Sequence, residues 1–335
     1  MAGAKLLHAA LAGLAVLAGL APVAAQSAGS AEAHVVAARE AAGTEHLSLL
    51  LRVCTQGAPS ALGPLAGLVD RVPVALPPTG VGRPEWYAEP VKVFDNLYFV
   101  GQTEYSAWAV TTSEGIIIID PIFDYSVEAE IDQGLTKLGL DPRDIRYVIV
   151  SHGHSDHAGG ARFLQDKYDA RVILSAADWD LLDRTGGDWL KPRRDIEAGD
   201  GYELRLGDTT LRLYATPGHT PGTMSTLIPV RDGARTHMAA LWGGTAFNFM
   251  GRGEDARWFR EYIASAERFR GLAVEAGADI ILSNHTRYDG STVKLPALAR
   301  RRMGDPHPYV IGAESLGRYL TVAAECARAG LVGVE

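Results

Sequence analysis

Cysteine is nearly absent from this chain, with two residues in 335, Cys54 and Cys326. Neither stands near a cluster of metal-binding side chains, so a thiolate metal site has no local support. In an oxidising compartment the two would form a single bridge between the N- and C-terminal regions; otherwise they are buried thiols. Excess positive charge is also missing: 32 Lys and Arg against 40 Asp and Glu give a formal net charge of −8. This removes the electrostatic case for a nucleic-acid partner. No basic amphipathic stretch suggests a membrane surface, and no repeat of fixed period is visible. Beyond the N-terminus there is no apolar run long enough to read as a membrane span.

The first 25 residues carry one charge, Lys5, ahead of an Ala/Leu/Gly/Val run from Leu6 to Leu20. Small residues follow at Val23-Ala24-Ala25, before Gln26. A charged start, a short apolar run and a small-residue cleavage site predict a signal peptide over 1–25. The competing reading, a spanning helix, lacks length and a stop-transfer flank. The expectation is an exported, periplasmic protein.

Residues 31–54 read as helical, and the Pro/Gly-rich stretch 72–86 as an extended connector. Together they suggest an N-terminal extension over 26–84, followed by one domain over 85–335. From Val91 the pattern becomes strand-rich. Gly115-Ile116-Ile117-Ile118-Ile119-Asp120 is a β-branched run of the kind buried on both faces of a sheet. A helix is expected over 125–138, a second buried strand over 146–150, a helix over 157–167 and a strand over 170–175. Later come strands over 209–214 and 224–230, a long helix over 256–276, a strand over 279–282 and a helix over 316–329. This alternation predicts the α/β class, and its recurrence fits two packed sheets with helices outside.

The chemistry concentrates in Ser151-His152-Gly153-His154-Ser155-Asp156-His157, directly after the strand Tyr147–Val150. Three imidazoles and a carboxylate in six positions suit zinc, which takes both nitrogen and oxygen ligands. Two further histidines share the strand-end context. His219 sits in the Gly/Pro turn Thr216-Pro217-Gly218-His219, and His285 in Ser283-Asn284-His285. Ligands delivered from several strand ends to one rim would rest on a rigid scaffold. His8, His34, His46, His237 and His307 lack that context and read as ordinary core or surface residues.

The string His152-x-His154-x-Asp156-His157, with Gly218-His219-Thr220 and a late His285, resembles the metallo-β-lactamase superfamily over about residues 90–295. The resemblance implies an αββα sandwich with an N-terminal helical extension and a metal site at one edge of the two sheets. It implies two zinc ions per chain, one held by His152, His154 and His219, the other by Asp156, His157 and His285. Many hydrolases of the superfamily, glyoxalase II and the quorum-signal lactonases among them, carry a bridging Asp in a Gly-Asp-Thr segment. Here the similar segment is Gly243-Gly244-Thr245-Ala246-Phe247, with glycine at that place and no cysteine. All-His first ligands, an Asp-His-His second set and no bridging carboxylate resemble subclass B3.

The resemblance further implies a small-molecule substrate, a β-lactam ring opened by attack of zinc-bound hydroxide on the amide carbonyl. Asp156 would be a ligand that also orients the attacking group. Asp120, at the end of the isoleucine strand, would orient a ligating imidazole or merely close a turn. Thr245 resembles a position where a hydroxyl contacts the substrate carboxylate, while Phe247 replaces a second small polar residue. Tyr105 and Trp108 would wall the site or serve as packing; Arg287 and Tyr288 would reach substrate or face solvent. A lactone or another ester or amide is the alternative substrate for the same fold. A non-catalytic metal-binding protein is the third reading.

Overall fold

A computed structural model describes residues 29–73, 75–76, 82–302 and 304–335. The signal-peptide stretch 1–25 and residues 77–81 of the connector lie outside the described residues. The expected helix over 31–54 is two helices, α1 (Ala31–Ala42) and α2 (Leu47–Gly57). Ser30 caps α1 by accepting from the Ala33 N–H, and Gly43, at φ 52°, ends it in a conformation that side chains disfavour.

The first sheet holds seven strands in chain order: β1 (Val91–Lys92), β2 (Leu97–Phe99), β3 (Trp108–Thr112), β4 (Gly115–Ile119), β5 (Ile145–Ile149), β6 (Arg171–Leu174) and β7 (Ile196–Glu197). It is antiparallel up to β4 and parallel from β4 to β7. Parallel pairing needs crossovers. The segment 128–137 supplies one, as a π-turn running into α3 (Gln133–Lys137). The short α4 (Ser155–Ala158) with α5 (Ala161–Tyr168) supplies another, and α6 (Ala176–Arg184) a third. The second sheet runs β12-β11-β10-β9-β8, built from β8 (Tyr202–Leu206), β9 (Thr209–Ala215), β10 (Met224–Asp232), β11 (Arg235–Trp242) and β12 (Ile280–Ser283). Helices α7 (Asp255–Glu275), α8 (Ser291–Leu298) and α9 (Ala313–Val334) complete the chain. Strands β7, β8 and β11 and helices α6 and α8 were not expected from the sequence.

Strand alternation builds three apolar layers. Ile117 and Ile119 point between the sheets, with Ile149, Ile173, Leu211, Leu213, Ile228 and Leu241. Ile116 and Ile118 point outward, against Ile131, Leu135, Leu164 and Trp179 from the helical side. The isoleucine run therefore contributes to two layers at once, each side chain contributing about 1.5–3 kcal/mol by its burial. On the far face, Ala240, Trp242 and Ile281 meet α7 and α9, and also Leu49, Leu50 and Val53 of α2. The protein is an αββα sandwich in which α1 and α2 share a core with α7 and α9. A Cys54–Cys326 disulfide joins α2 to α9, with Cα atoms 4.6 Å apart.

Candidate metal centre

Five connections meet at one edge of the sandwich: those leaving β4, β5, β9, β11 and β12. The open ends of strands are where an α/β scaffold holds functional groups rigidly. Gly243 leaves β11 against β10 so closely that an added Cβ would lie 1.8 Å from the Met224 carbonyl oxygen. Its own carbonyl accepts from His152 Nδ1–H at 2.8 Å and from Asn284 Nδ2 at 2.7 Å. His219 donates from Nδ1 to the Ala246 carbonyl at 2.6 Å. Both rings thereby turn an unprotonated Nε2 to the same point. The two Nε2 atoms are 3.1 Å apart, and His219 Nε2 is 3.2 Å from His154 Nδ1.

Three lone pairs facing one another repel unless a cation lies between them. Burial, then the neighbouring imidazoles, hold His152 far below its ordinary pKa; His154 falls to about 4 and His219 to about 3, mainly through burial. All three are thus neutral, ligand-competent imidazoles at pH 7. Tetrahedral zinc with bonds of 2.0–2.1 Å needs ligand atoms about 3.3 Å apart, close to the observed separations.

The second cluster is built on α4. His157 Nε2 lies 3.1 Å from Asp156 Oδ2, and His285 Nε2 3.6 Å from that oxygen. Asp120 accepts from the Ser151 N–H at 2.7 Å and from its hydroxyl at 2.8 Å, and Asp120 Oδ2 is 3.4 Å from His157 Nδ1. Burial works against charge on His157, yet Asp156 and Asp120 raise it to about 10. Asp156 is also buried, and the surrounding histidines outweigh that burial and keep its carboxyl ionised. Both ring nitrogens of His157, and Nδ1 of His285, are buried without a well-formed hydrogen bond. A divalent cation bonds one nitrogen of a ring, so beside Asp156 it would give His157 Nε2 the partner it lacks while Nδ1 faces Asp120. The donor set therefore fits zinc. His152, His157 and His219 are fully enclosed, whereas His154, Asp156 and His285 are mostly buried with one edge exposed and form the mouth.

The remaining sequence expectations divide. Asp120 orients the Ser151 turn and faces His157, beyond closing a turn. Tyr105 does reach the centre: it bridges His285 in a short antiparallel pair, with ring centroids 5.0 Å apart. Burial, then Glu104 and Asp156, pushes its phenol up to about 12. Trp108 does not reach it. Alternation along β3 turns Trp108 inward, where it is fully buried against Phe99 and Tyr309. Thr245 is 1% exposed, with its hydroxyl 3.4 Å from Ser283 Oγ, which leaves it no open face for a substrate carboxylate. Phe247 packs with Phe249, Phe259 and Tyr262. Arg287 is paired with Glu104, not free in solvent, and Tyr288 is buried. At Gly244 an added Cβ would lie 2.4 Å from His219 Cβ, so a side chain there collides with a ligand.

One residue was missed. Asp178 of α6 is fully buried and accepts from Gly153 N–H at 2.8 Å, Thr220 Oγ1 at 2.7 Å and Gly222 N–H at 2.8 Å. It ties the loop of His152 and His154 to the loop of His219. Its sequence neighbourhood, Ala176-Ala177-Asp178-Trp179, carries no motif; the only local sign is Ser175, which caps α6.

A fold with two sheets, helices on both faces and a His/Asp edge site defines the class. The chain belongs to the metallo-beta-lactamase superfamily, whose profile matches residues 100–234. Its structural neighbours are metallo-beta-lactamases. It is similar to BJP-1, a subclass B3 enzyme of Bradyrhizobium japonicum, with 25% identity, 71% of this chain and 93% of that one covered, and a TM-score of 0.60. A metallo-beta-lactamase of Cronobacter sakazakii, solved as a variant of its HARLDQ motif, shows 30% identity over 71% of this chain and 94% of that one, with a TM-score of 0.58. Among curated proteins it is similar to a hydroxyacylglutathione hydrolase of Anaeromyxobacter dehalogenans, 30% identical over 140 residues. That match covers 42% of this chain and 50% of the relative, so the chain spans about half of that protein's length.

Proposed function

We propose that this metallo-hydrolase opens β-lactam rings with two zinc ions, held by His152, His154 and His219 and by Asp156, His157 and His285. The observation that carries the reading is Gly244. A bridging carboxylate has no room beside His219, and both cysteines are engaged in the disulfide. An all-His first set that would hold one ion, and an Asp156, His157 and His285 set that would hold another without a shared carboxylate, match what the subclass B3 resemblance implies. When bound, the ions supply a strong nucleophile at neutral pH and a Lewis acid for the carbonyl oxygen.

The chain's own residues do the rest. Asp156, ionised at the mouth, accepts the proton-bearing side of the attacking oxygen and aims its lone pair at the carbonyl carbon. His152 and His219 are locked in orientation by the Gly243 and Ala246 carbonyls, so the site needs no reorganisation on binding. Hydrolysis adds the oxygen to carbon, breaks the ring C–N bond and delivers a proton to nitrogen. Asp120 holds the Ser151 turn and faces His157, which is positioning rather than chemistry.

The N-terminal apolar run and the cysteine pairing support export to an oxidising compartment, with 1–25 removed, 26–84 as an extension and 85–335 as the hydrolase domain. Antibiotic resistance would be the consequence in the periplasm. The likeness to a hydroxyacylglutathione hydrolase favours, as second reading, a lactone or another ester or amide substrate. A chromogenic cephalosporin separates the two: turnover lost in chelator and restored by zinc is expected, with about two zinc per chain by metal analysis. No turnover of the cephalosporin with fast turnover of homoserine lactones would overturn the β-lactam reading. His154→Ala should abolish turnover while leaving the fold intact; retained activity would remove the first ligand set from the mechanism.

A further inference from the structure

The proposed ligands are not held alike. His152 and His219 each have a carbonyl acceptor at Nδ1, and His157 Nδ1 faces Asp120. His285 has no such partner: its Nδ1 is buried without a hydrogen bond, while its Nε2 lies 3.6 Å from Asp156 Oδ2. An acceptor behind an imidazole is the usual device for fixing its orientation. Without one, the aim of His285 is set by packing against Tyr105 and Tyr288, at centroid distances of 5.0 and 5.6 Å, and by the backbone that carries it.

That backbone is fixed from two sides. On one, the Ser106 N–H donates to Asn284 O and the Thr286 N–H to Glu104 O, both at 3.0 Å. On the other stands Asp289, 4% exposed. One of its carboxylate oxygens accepts from the Ser283 N–H at 2.9 Å and the other from the Ser291 N–H at 2.8 Å. Ser283 is the last residue of β12 and Ser291 the first of α8. A single carboxylate therefore closes the turn 283–291 across its base, with His285 inside it. Ser291 Oγ lies 2.8 Å from the hydroxyl of Tyr309, which continues the clasp into the core between the sheets. Burial pushes the Asp289 carboxyl up, and Lys294 of α8 works against that shift with the serine hydrogen bonds. Taking a carboxylate out of water is costly. An ordinary turn is closed by neutral or solvated residues instead. The first ligand set is held by other means. Asn284 donates from Nδ2 to the Gly243 carbonyl at 2.7 Å, and Asp178 ties the loops of His152, His154 and His219.

We propose that Asp289 is a positioning residue for His285, setting the zinc affinity of the Asp156, His157 and His285 set and leaving the His152, His154 and His219 set nearly unchanged. This rests on the two ligand sets proposed above and adds a division between two buried carboxylates: Asp178 serves the first set and Asp289 the second.

The test reads zinc affinity of the full-length mature protein by chelator competition, independently of turnover. Asp289→Asn keeps the volume of the side chain and one of its two acceptors, so the fold is retained. It should weaken one of the two bound ions about tenfold, the lower end of what removing a group that orients a ligand does. Coupling assigns the effect to a set. In a His219→Ala background, where the second set is the intact one, Asp289→Asn should again weaken zinc about tenfold. In a His285→Ala background it should change the affinity of the remaining ion less than about twofold. Leu211→Ala, remote from both sets, reports what lost stability alone does: its urea midpoint should fall while both zinc affinities stay within about twofold. Equal weakening in the two backgrounds, or weakening in neither, would overturn the role of Asp289 while leaving the two ligand sets standing. Fewer than two zinc ions on the unmodified protein would remove those sets, and this assignment with them.

Discussion

Replacing Asp178 by alanine removes one carboxylate and leaves three donors from two ligand loops without an acceptor: Gly153 N–H, Gly222 N–H and Thr220 Oγ1–H. Thr220 can turn its proton to Thr223, 2.7 Å away, so its loss is partly recoverable. The two amides cannot turn. A buried amide without a partner costs about 1–3 kcal/mol, which puts the loss of stability at about 2–6 kcal/mol. Burial pushes the Asp178 carboxyl up, so part of the gain from its hydrogen bonds is already spent on desolvation, and the lower half of that range is expected. Stability is read by urea unfolding of the metal-free protein. The more diagnostic reading is zinc affinity by chelator competition. Gly153 lies between two ligands and Thr220 follows a third, so freeing both loops should weaken zinc binding about 10–100-fold, the usual effect of removing a group that orients ligands. Leu211→Ala, a cavity in the inter-sheet core, supplies a control that costs about 2–5 kcal/mol without touching either loop. If Asp178→Ala loses less than 1 kcal/mol, or if its zinc affinity matches that of the Leu211→Ala control, the carboxylate does not organise the site.

Three further outcomes are expected. Gly244→Asp should displace His219 and lower zinc content and turnover at least about 100-fold, since the new Cβ would sit 2.4 Å from His219 Cβ; a variant that keeps both zinc ions would show that the loop can move aside. Cys54→Ser with Cys326→Ser should cost about 2–5 kcal/mol in unfolding experiments while leaving kcat/KM near its original value at 25 °C, because the bridge touches no ligand. Below pH 6.5 the metal-free protein should lose stability and zinc affinity. His154 and His219 are held at about 4 and 3 in the folded state, so the unfolded chain binds more protons in this window and folding weakens as pH falls toward 4. His157, raised to about 10, is protonated in both states below pH 6.5 and does not offset this. Unfolding curves at pH 6.5 and 4.5 that superimpose would refute the assignment of neutral, buried imidazoles.

The residues proposed to hold metal were readable because four of them occupy one short segment, and the other two recur in the same strand-end context. The isoleucine run was equally plain, since β-branched continuity has one main structural outcome. Other features were hidden for physical reasons. Tyr105 and Trp108 stand three residues apart, so the opposite faces they take follow from where β3 begins, which composition does not mark. Strand β8 carries Glu203 and Arg205 on one face and β11 opens on the polar Arg235-Thr236-His237, so both give weaker apolar signals than the isoleucine strand. Asp178 works through backbone amides of segments 25 and 44 residues away, and a glycine N–H has no side-chain signature. The break between α1 and α2 rests on Gly43, which also occurs in continuous helices.

Helix α2 has a practical consequence for anyone producing this protein. Gln56 accepts from the Phe247 N–H at 2.8 Å and Ser48 donates to the Arg287 carbonyl at 2.7 Å, so one helix props up the loops after both β11 and β12. A clone trimmed to the stretch that most resembles other enzymes, beginning near residue 85, would strip the cover from α7 and α9 and leave Cys326 an exposed thiol. Such material would aggregate or cross-link in the tube, and its poor activity would be misread as a weak enzyme. The gene should be expressed from before Ser30, into a compartment that allows the bridge to close.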